Sequence, residues 1–283
     1  MFGYRSDGKR LKKIEPIFKI LPTVMKERND SEVYFKQDIN LEPLDEYINK
    51  KAEEGIRITY MHIIYAALVR IISQRPKLNR FIMSGDVYAR NKIFVSLMIK
   101  KSLSDDAQET LTKLDYEGTE NIFEIKDRLD KVISENKDYS ASNSTDNLVG
   151  VLAKIPTWFV KIVVNILMWM DKRGIMPKSI ISASPFHTSV FLTNVGSLGI
   201  DSIYHHIYNF GTTSLFFSMG KKKKSYVYED DEIKQEKCIT LAFVGDERIC
   251  DGYYYASSFK QLQKILKHPE ILEENVEVIK DII

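Results

Sequence analysis

With 283 residues, 44% of them hydrophobic, the chain can bury one sizeable core or two small ones. Its 41 basic residues against 39 acidic ones leave a formal charge of +2, which argues against a dedicated nucleic-acid binder. Two cysteines, Cys238 and Cys250, exclude a disulfide framework and suit a reducing cytoplasm; without paired histidines at ligand spacing they give no metal site.

The N-terminal MFGYRSDGKRLKK is charged and lacks an apolar core, so it is no secretory signal. Residues 14–28 set Ile14, Ile17, Phe18, Leu21 and Met25 on one helical stripe. VYFKQDIN (33–40) alternates and predicts a strand. LEPLDEYINKKAEEG (41–55) predicts a helix stopped at Gly55. TYMHIIYAALVRIISQRP (59–76) is the most apolar helix of the first half, stopped by Pro76. Residues 79–101 read as two or three strands with a hairpin turn at Ser84-Gly85-Asp86. A further strand over 107–116 and a charged amphipathic helix over 120–137 follow. YSASNSTDN (139–147) reads as a loop inside the fold.

IPTWFVKIVVNILMWM (155–170) is apolar but shorter than the roughly 20 residues of a spanning helix, and Pro156, Lys161 and Asn165 interrupt it. A helix packed in the core or lining a pocket is the expectation, with docking on a membrane surface next and a spanning helix last, so membrane contact is not the leading expectation. The chain then turns β-rich over 187–196, 212–220 and 223–245, with EDDE (229–232) at a hairpin tip. The run Lys221–Lys224 reads as a solvated strand edge opposite that acidic turn rather than as a nucleic-acid patch. A last helix covers 253–272. Interleaved helices and antiparallel-looking strands predict an α/β sandwich in a single domain, 1–283.

Chemistry concentrates in LAFVGDERICDGYYYA (241–256). An apolar strand runs into Asp246, Glu247 and Arg248, then into Asp251-Gly252. Acids buried at such a turn must be paired, and Arg248, Arg5 and Arg10 are the candidate partners. Gly252 would let the chain turn sharply. On these residues alone the segment is a salt-bridge corner. Of the five histidines, His62 reads as a core or partly exposed residue and His268 falls in a terminal turn. His187 opens a strand, and His205 and His206 lie in a loop able to face a cleft, although surface or structural roles are commoner. Cys250 reads as a small buried residue rather than a nucleophile.

The order apolar strand, Asp-x-Arg-x-x-Asp-Gly, helix, then LKHPEIL resembles the end of the catalytic domain of 2-oxo acid dehydrogenase acyltransferases, the dihydrolipoyl transacylases similar in fold to chloramphenicol acetyltransferase. FLTNVGSLGID resembles that family's strand and glycine turn, and residues 212–243 its next strand and hairpin. RPKLNRFIMSGDVYARNKIFVSLMI resembles an earlier helix end, hairpin and strand, so the likeness spans roughly 15–275. It implies a mixed β-sheet flanked by helices, assembled as a homotrimer with active sites between subunits. It also implies acyl transfer between coenzyme A and a small-molecule thiol, hydroxyl or amine acceptor, or a catalytically silent relative that binds coenzyme A or an acyl ligand or scaffolds a partner.

Carried over by position, Thr193 becomes the oxyanion donor, Asp251 the orienting acid, and Gly252 and Gly196 the structural turns, with Arg248, Asn194, His187 and His206 as possible supports. The family's motif is His-x-x-x-Asp-Gly, and here the histidine position holds Glu247. A thiol titrates near 8.5, His near 6.5 and Glu near 4.3, so proton transfer to the base is uphill by about 3 kcal/mol for His and about 6 kcal/mol for an ordinary Glu. A carboxylate base therefore needs an apolar surrounding that raises it. No lipoyl or subunit-binding domain is read on this chain, so the expectation is a free-standing catalytic-type domain.

Overall fold

The computed structural model describes residues 5–100, 109–137, 150, 154–229 and 231–281. Two sheets organise it. The larger is mixed and six-stranded, in the order β2 (Glu32–Asn40), β9 (Glu232–Asp246), β8 (Leu215–Glu229), β7 (Val190–Asn194), β5 (Ile93–Lys100) and β6 (Glu109–Tyr116). β7 lies parallel to both neighbours, and the other pairs are antiparallel. The smaller sheet runs β1 (Gly8–Arg10), β4 (Asp86–Arg90), β3 (Arg80–Met83).

The strands expected over 79–101 are thus divided between two sheets, and β1 carries too short an alternation to be foreseen. The turn between β3 and β4 is where it was expected: Ser84 and Gly85 both have positive φ, at 54° and 82°, the backbone that a tight hairpin needs.

Helices flank the large sheet. α1 (Pro16–Val24), α2 (Glu42–Glu53) and α3 (Tyr60–Gln74) follow the predicted stripes, and Gly55 closes α2 with φ 79°. The Thr59 hydroxyl and the His62 ring form a reciprocal cap at the start of α3, so His62 is a buried structural residue that also bonds Asp130. α3 is buried almost throughout because both its faces meet apolar neighbours, α4 (Ile122–Lys137) among them. α7 (Gly252–Lys267) packs beside it, and Leu68, Ile72, Tyr255 and Leu262 meet Leu215, Phe217 and Phe243 of the sheet. On the opposite sheet face Phe191, Phe216 and Val244 are covered by Ile207 and Tyr208 from a loop.

Two expectations change. The helix over the apolar segment, α5 (Thr157–Lys172), is not core: Asp171 is its only buried residue, because ion pairs draw its C-terminal end inward while its side chains stay largely at the surface. Among the described residues no helix is long and apolar enough to cross a membrane. Beyond Met219, the last residue that β8 pairs with β7, Lys222–Lys224 have β9 alone as strand neighbour, so the run is the largely exposed strand edge expected, but it lies opposite Lys237–Ile239 rather than the acidic turn; Lys223 pairs with Asp38 and Asp201, and the Lys222 ammonium lies over the Tyr60 ring. The proposed loop at 139–147 lies outside the described residues. A short α6 (Lys178–Ala183) leads into β7.

Candidate active site

The corner after β9 is built on one buried ion pair. Asp246, fully buried, accepts from Arg248 Nε at 2.8 Å, Nη2 at 2.7 Å and the backbone N–H at 3.0 Å, and from the Ser31 hydroxyl at 3.1 Å. Arg248 uses its remaining arm on the Met25 carbonyl at 3.0 Å. The Tyr255 hydroxyl donates to the Asp246 carbonyl at 2.8 Å. Arg248 therefore pairs with Asp246, while Arg5 goes to Asp7 and Asp171, and Arg10 to Asp86. With residues 246 and 248 turned inward, Glu247 is forced outward. Its N–H donates to the Ser31 carbonyl at 2.8 Å, and its exposed carboxylate has no hydrogen-bond or ion-pair partner among the described residues.

Asp251 is exposed and caps α7, accepting from the Tyr254 N–H at 2.8 Å; it holds no arginine. Gly252 opens α7 without positive φ, and a Cβ there would meet nothing within 4 Å, so the sharp turn expected of it is not what the glycine serves. Cys250 is buried, and desolvation pushes its thiol up to about 12, which keeps it protonated and inert.

Thr193, half-buried on β7, shares the Phe191 face of the sheet by strand alternation. Asn194 accepts from the Ser197 N–H and so caps the turn that follows. Gly196 lies where that turn crosses β8: an added Cβ would come within 2.2 Å of the Gly220 carbonyl oxygen. Gly196→Ala should therefore lower stability by about 3 kcal/mol, read as a drop in the urea midpoint with unchanged slope. The histidine pair lies over the same face. The His205 ring stacks on Phe216 at 4.3 Å, and His206 is exposed beside it.

Within one chain Thr193 and Glu247 do not meet. Thr193 is level with Ser218 on β8 and through it with Ala242 on β9, five residues short of Glu247. At about 3.3 Å per residue that is roughly 16 Å along the sheet, with two strand spacings in addition.

His187 is buried elsewhere, in a charge cluster. Its Nε2 lies 3.1 Å from Asp171 and its Nδ1 2.8 Å from the Ser184 hydroxyl; Arg5 bridges Asp171 and Asp7 at 2.7 and 2.9 Å. Burial holds His187 below its usual range against the pull of Asp171. Burial would raise Asp171 and Asp7, yet His187 and Arg5 respectively keep them below the ordinary carboxylate range. All three folded-state values are depressed. The stability they contribute is complete above the unfolded values and is lost as pH falls, first below the histidine value near 6.5, then below the carboxylate value near 3.8. The urea midpoint should fall between pH 7 and pH 5, and His187→Gln should flatten that part of the profile.

A cavity of about 310 Å³ adjoins the corner, with Lys26, Arg28, Met168, Lys172 and Arg248 among its lining. Arg28 is buried without an ion pair among the described residues; it donates to the carbonyls of Asn209 and Ile82, each at 2.9 Å, and burial pulls its pKa down to about 10. Nothing in the sequence around it signals that role.

Residues 183–273, which hold Thr193, Gly196, Glu247 and Asp251, match the family described as 2-oxoacid dehydrogenases acyltransferase (catalytic domain). No curated protein sequence matches the chain. Among solved structures, the probable dihydrolipoamide acetyltransferase of Listeria monocytogenes 4b F2365 aligns with TM-score 0.57 at 15% identity, over 96% of this chain and 99% of that one. The dihydrolipoamide acetyltransferase of Azotobacter vinelandii, studied for the roles of a serine, a histidine and an asparagine in its catalytic mechanism, gives 0.59 at 10% identity over 93% and 94%. A chloramphenicol acetyltransferase gives 0.54 at 11% over 92% and 99%. The chain thus has the chloramphenicol acetyltransferase-like fold, and its residues 183–273 are similar to the catalytic domain of the 2-oxoacid dehydrogenase acyltransferases.

Proposed function

We propose that the protein transfers an acyl group between coenzyme A and a small acceptor with a thiol, hydroxyl or amine, at a site completed by two copies of the chain in a trimer. The observation that carries this reading is the corner at 246–252, where a buried ion pair turns residue 247 outward at the end of β9, inside the segment matched by the acyltransferase family. Glu247 takes the proton of the acceptor as it attacks the thioester carbonyl. The Thr193 hydroxyl of a neighbouring copy donates to the oxyanion. The carbon–sulfur bond then breaks, and the coenzyme A sulfur recovers the proton from Glu247, so charge and protons balance. Asp251 keeps the corner in place by capping α7. A second copy lying over Glu247 would supply the dry surrounding that a carboxylate base requires.

The exposed, unpartnered carboxylate of Glu247 equally favours a second reading, a catalytically silent relative that binds coenzyme A or an acyl ligand. Thioester exchange with acetyl-coenzyme A separates the two. Activity in the native chain, reduced about 10²- to 10⁴-fold in Glu247→Gln, supports the carboxylate base. Activity present only in Glu247→His supports the silent relative. Coenzyme A binding by calorimetry without turnover in any variant leaves a binding module.

A further inference from the structure

α5 presents an apolar stripe that acyl transfer does not use. Trp158, Ile162, Ile166 and Trp169 lie on one helical face and are 65%, 46%, 51% and 50% exposed. Val160, Val163, Val164 and Leu167 on the inner side are half-buried, and Lys161, Asn165 and Lys172 are exposed beside the outward stripe, so the open side of the helix is apolar with a cationic margin. The charges on α5 and its flanks are Lys154, Lys161, Asp171, Lys172, Arg173 and Lys178. The one acid, Asp171, is buried and held by Arg5, so every exposed charge there is positive.

α1 repeats the arrangement: Ile17, Ile20 and Val24 are exposed among Lys12, Lys13, Lys19 and Lys26. Of its nearby exposed acids, Glu15 is paired with Lys77, and Glu27 and Asp30 remain. Pro22 and Lys26 line the same cavity as Met168 and Lys172, so the C-terminal ends of the two helices adjoin.

We propose that this face docks on an anionic lipid surface, with α5 lying in the interface. Its 16 residues extend about 24 Å, short of the roughly 30 Å of a hydrocarbon core. Apolar side chains on the outward stripe enter the headgroup boundary, and the lysines and Arg173 beside them meet lipid phosphates and carboxylates. Tryptophans near both ends suit that depth, since the indole prefers the boundary between water and lipid. A second copy docked face to face would set the same positive charges against each other, whereas an anionic bilayer complements them.

The two tryptophans of the chain are both on α5, which makes intrinsic fluorescence a direct report on this face. Full-length protein mixed with phosphatidylserine-containing vesicles should shift its tryptophan emission to the blue and float with them. Binding to phosphatidylcholine vesicles should be at least about tenfold weaker, and salt should reduce the binding to the anionic ones. Ile162→Ser with Ile166→Ser keeps both reporters and should abolish flotation. Lys161→Glu with Lys172→Glu should remove the preference for anionic lipid. These four side chains are exposed, and circular dichroism matching the native protein verifies that the variants fold. Equal binding to both vesicle types overturns the proposal. So does absence of flotation together with tryptophans already blue-shifted and shielded from acrylamide in lipid-free protein, which identifies the face as a contact between protein chains.

Discussion

Glu247→Gln subunits mixed with Thr193→Val subunits should regain acyl transfer that neither variant shows alone. The strand ladder separates the two residues by roughly 16 Å within a chain, so a site that uses both draws them from different copies. Under the proposed roles each single variant damages every site in its own assembly, the first by removing the proposed base and the second by removing the proposed oxyanion donor, at about 10² to 10³ in rate for the latter. After unfolding, mixing and refolding, a site that combines Glu247 of one subunit with Thr193 of another escapes both lesions. Random association gives about a quarter of the sites that composition, a recovery far above either background. The assay is acetyl-coenzyme A exchange on the refolded mixture, with sedimentation to verify assembly. Absence of recovery while each variant remains assembled and binds coenzyme A would refute the shared site. A chain carrying both substitutions, mixed with native subunits, provides the control, since each of its sites must take both groups from native partners.

Much of this arrangement was legible before any coordinates. The stripes of α1, α2 and α3 and the turn at Ser84-Gly85 follow from periodicity and from the two residues that accept positive φ. The corner at 246–252 was legible because a strand that buries Leu241 and Phe243 cannot also bury three charges unless they pair. Which acid took the arginine was not legible. Asp246 and Asp251 both flank Arg248 in sequence, and only the path of the chain decides that Asp246 turns inward while Asp251 is left to cap α7. The parallel placement of β7 was equally hidden, because alternation gives a strand its faces but not its neighbours. α5 was misjudged for a related reason: an apolar composition fixes a preference for leaving water without naming the surface that will cover it. Its apolar surface was assigned to the core or a pocket of the same chain; Met168, Asp171 and Lys172 do line a cavity, but the structure leaves the outward stripe open.

Asp246→Asn should destabilise the folded protein by about 3–5 kcal/mol, because it leaves the Arg248 guanidinium buried opposite a neutral amide. The native carboxylate accepts four hydrogen bonds at once, two from the guanidinium, one from the Arg248 N–H and one from Ser31. An amide of the same shape keeps one acceptor oxygen and turns two donors toward a cation. Arg248→Met should cost a similar amount by stranding the acid. The double variant, Asp246→Asn with Arg248→Met, should cost less than the sum of the two single losses, since neither buried charge then remains to be compensated. Urea denaturation of the four proteins at pH 7 closes the cycle, and a coupling energy near zero would show that the pair does not hold the corner. The same series reaches the chemistry through geometry. Arg248 also ties the corner to the Met25 carbonyl, and Asp246 ties it to the Ser31 hydroxyl, so loss of the pair frees the turn around residue 247 from two anchors. A double variant that stays folded should keep its affinity for coenzyme A and lose turnover, because the carboxylate is then present but no longer aimed. A folded double variant with native turnover would mean that Glu247 acts without its buried support, or that it does not act at all.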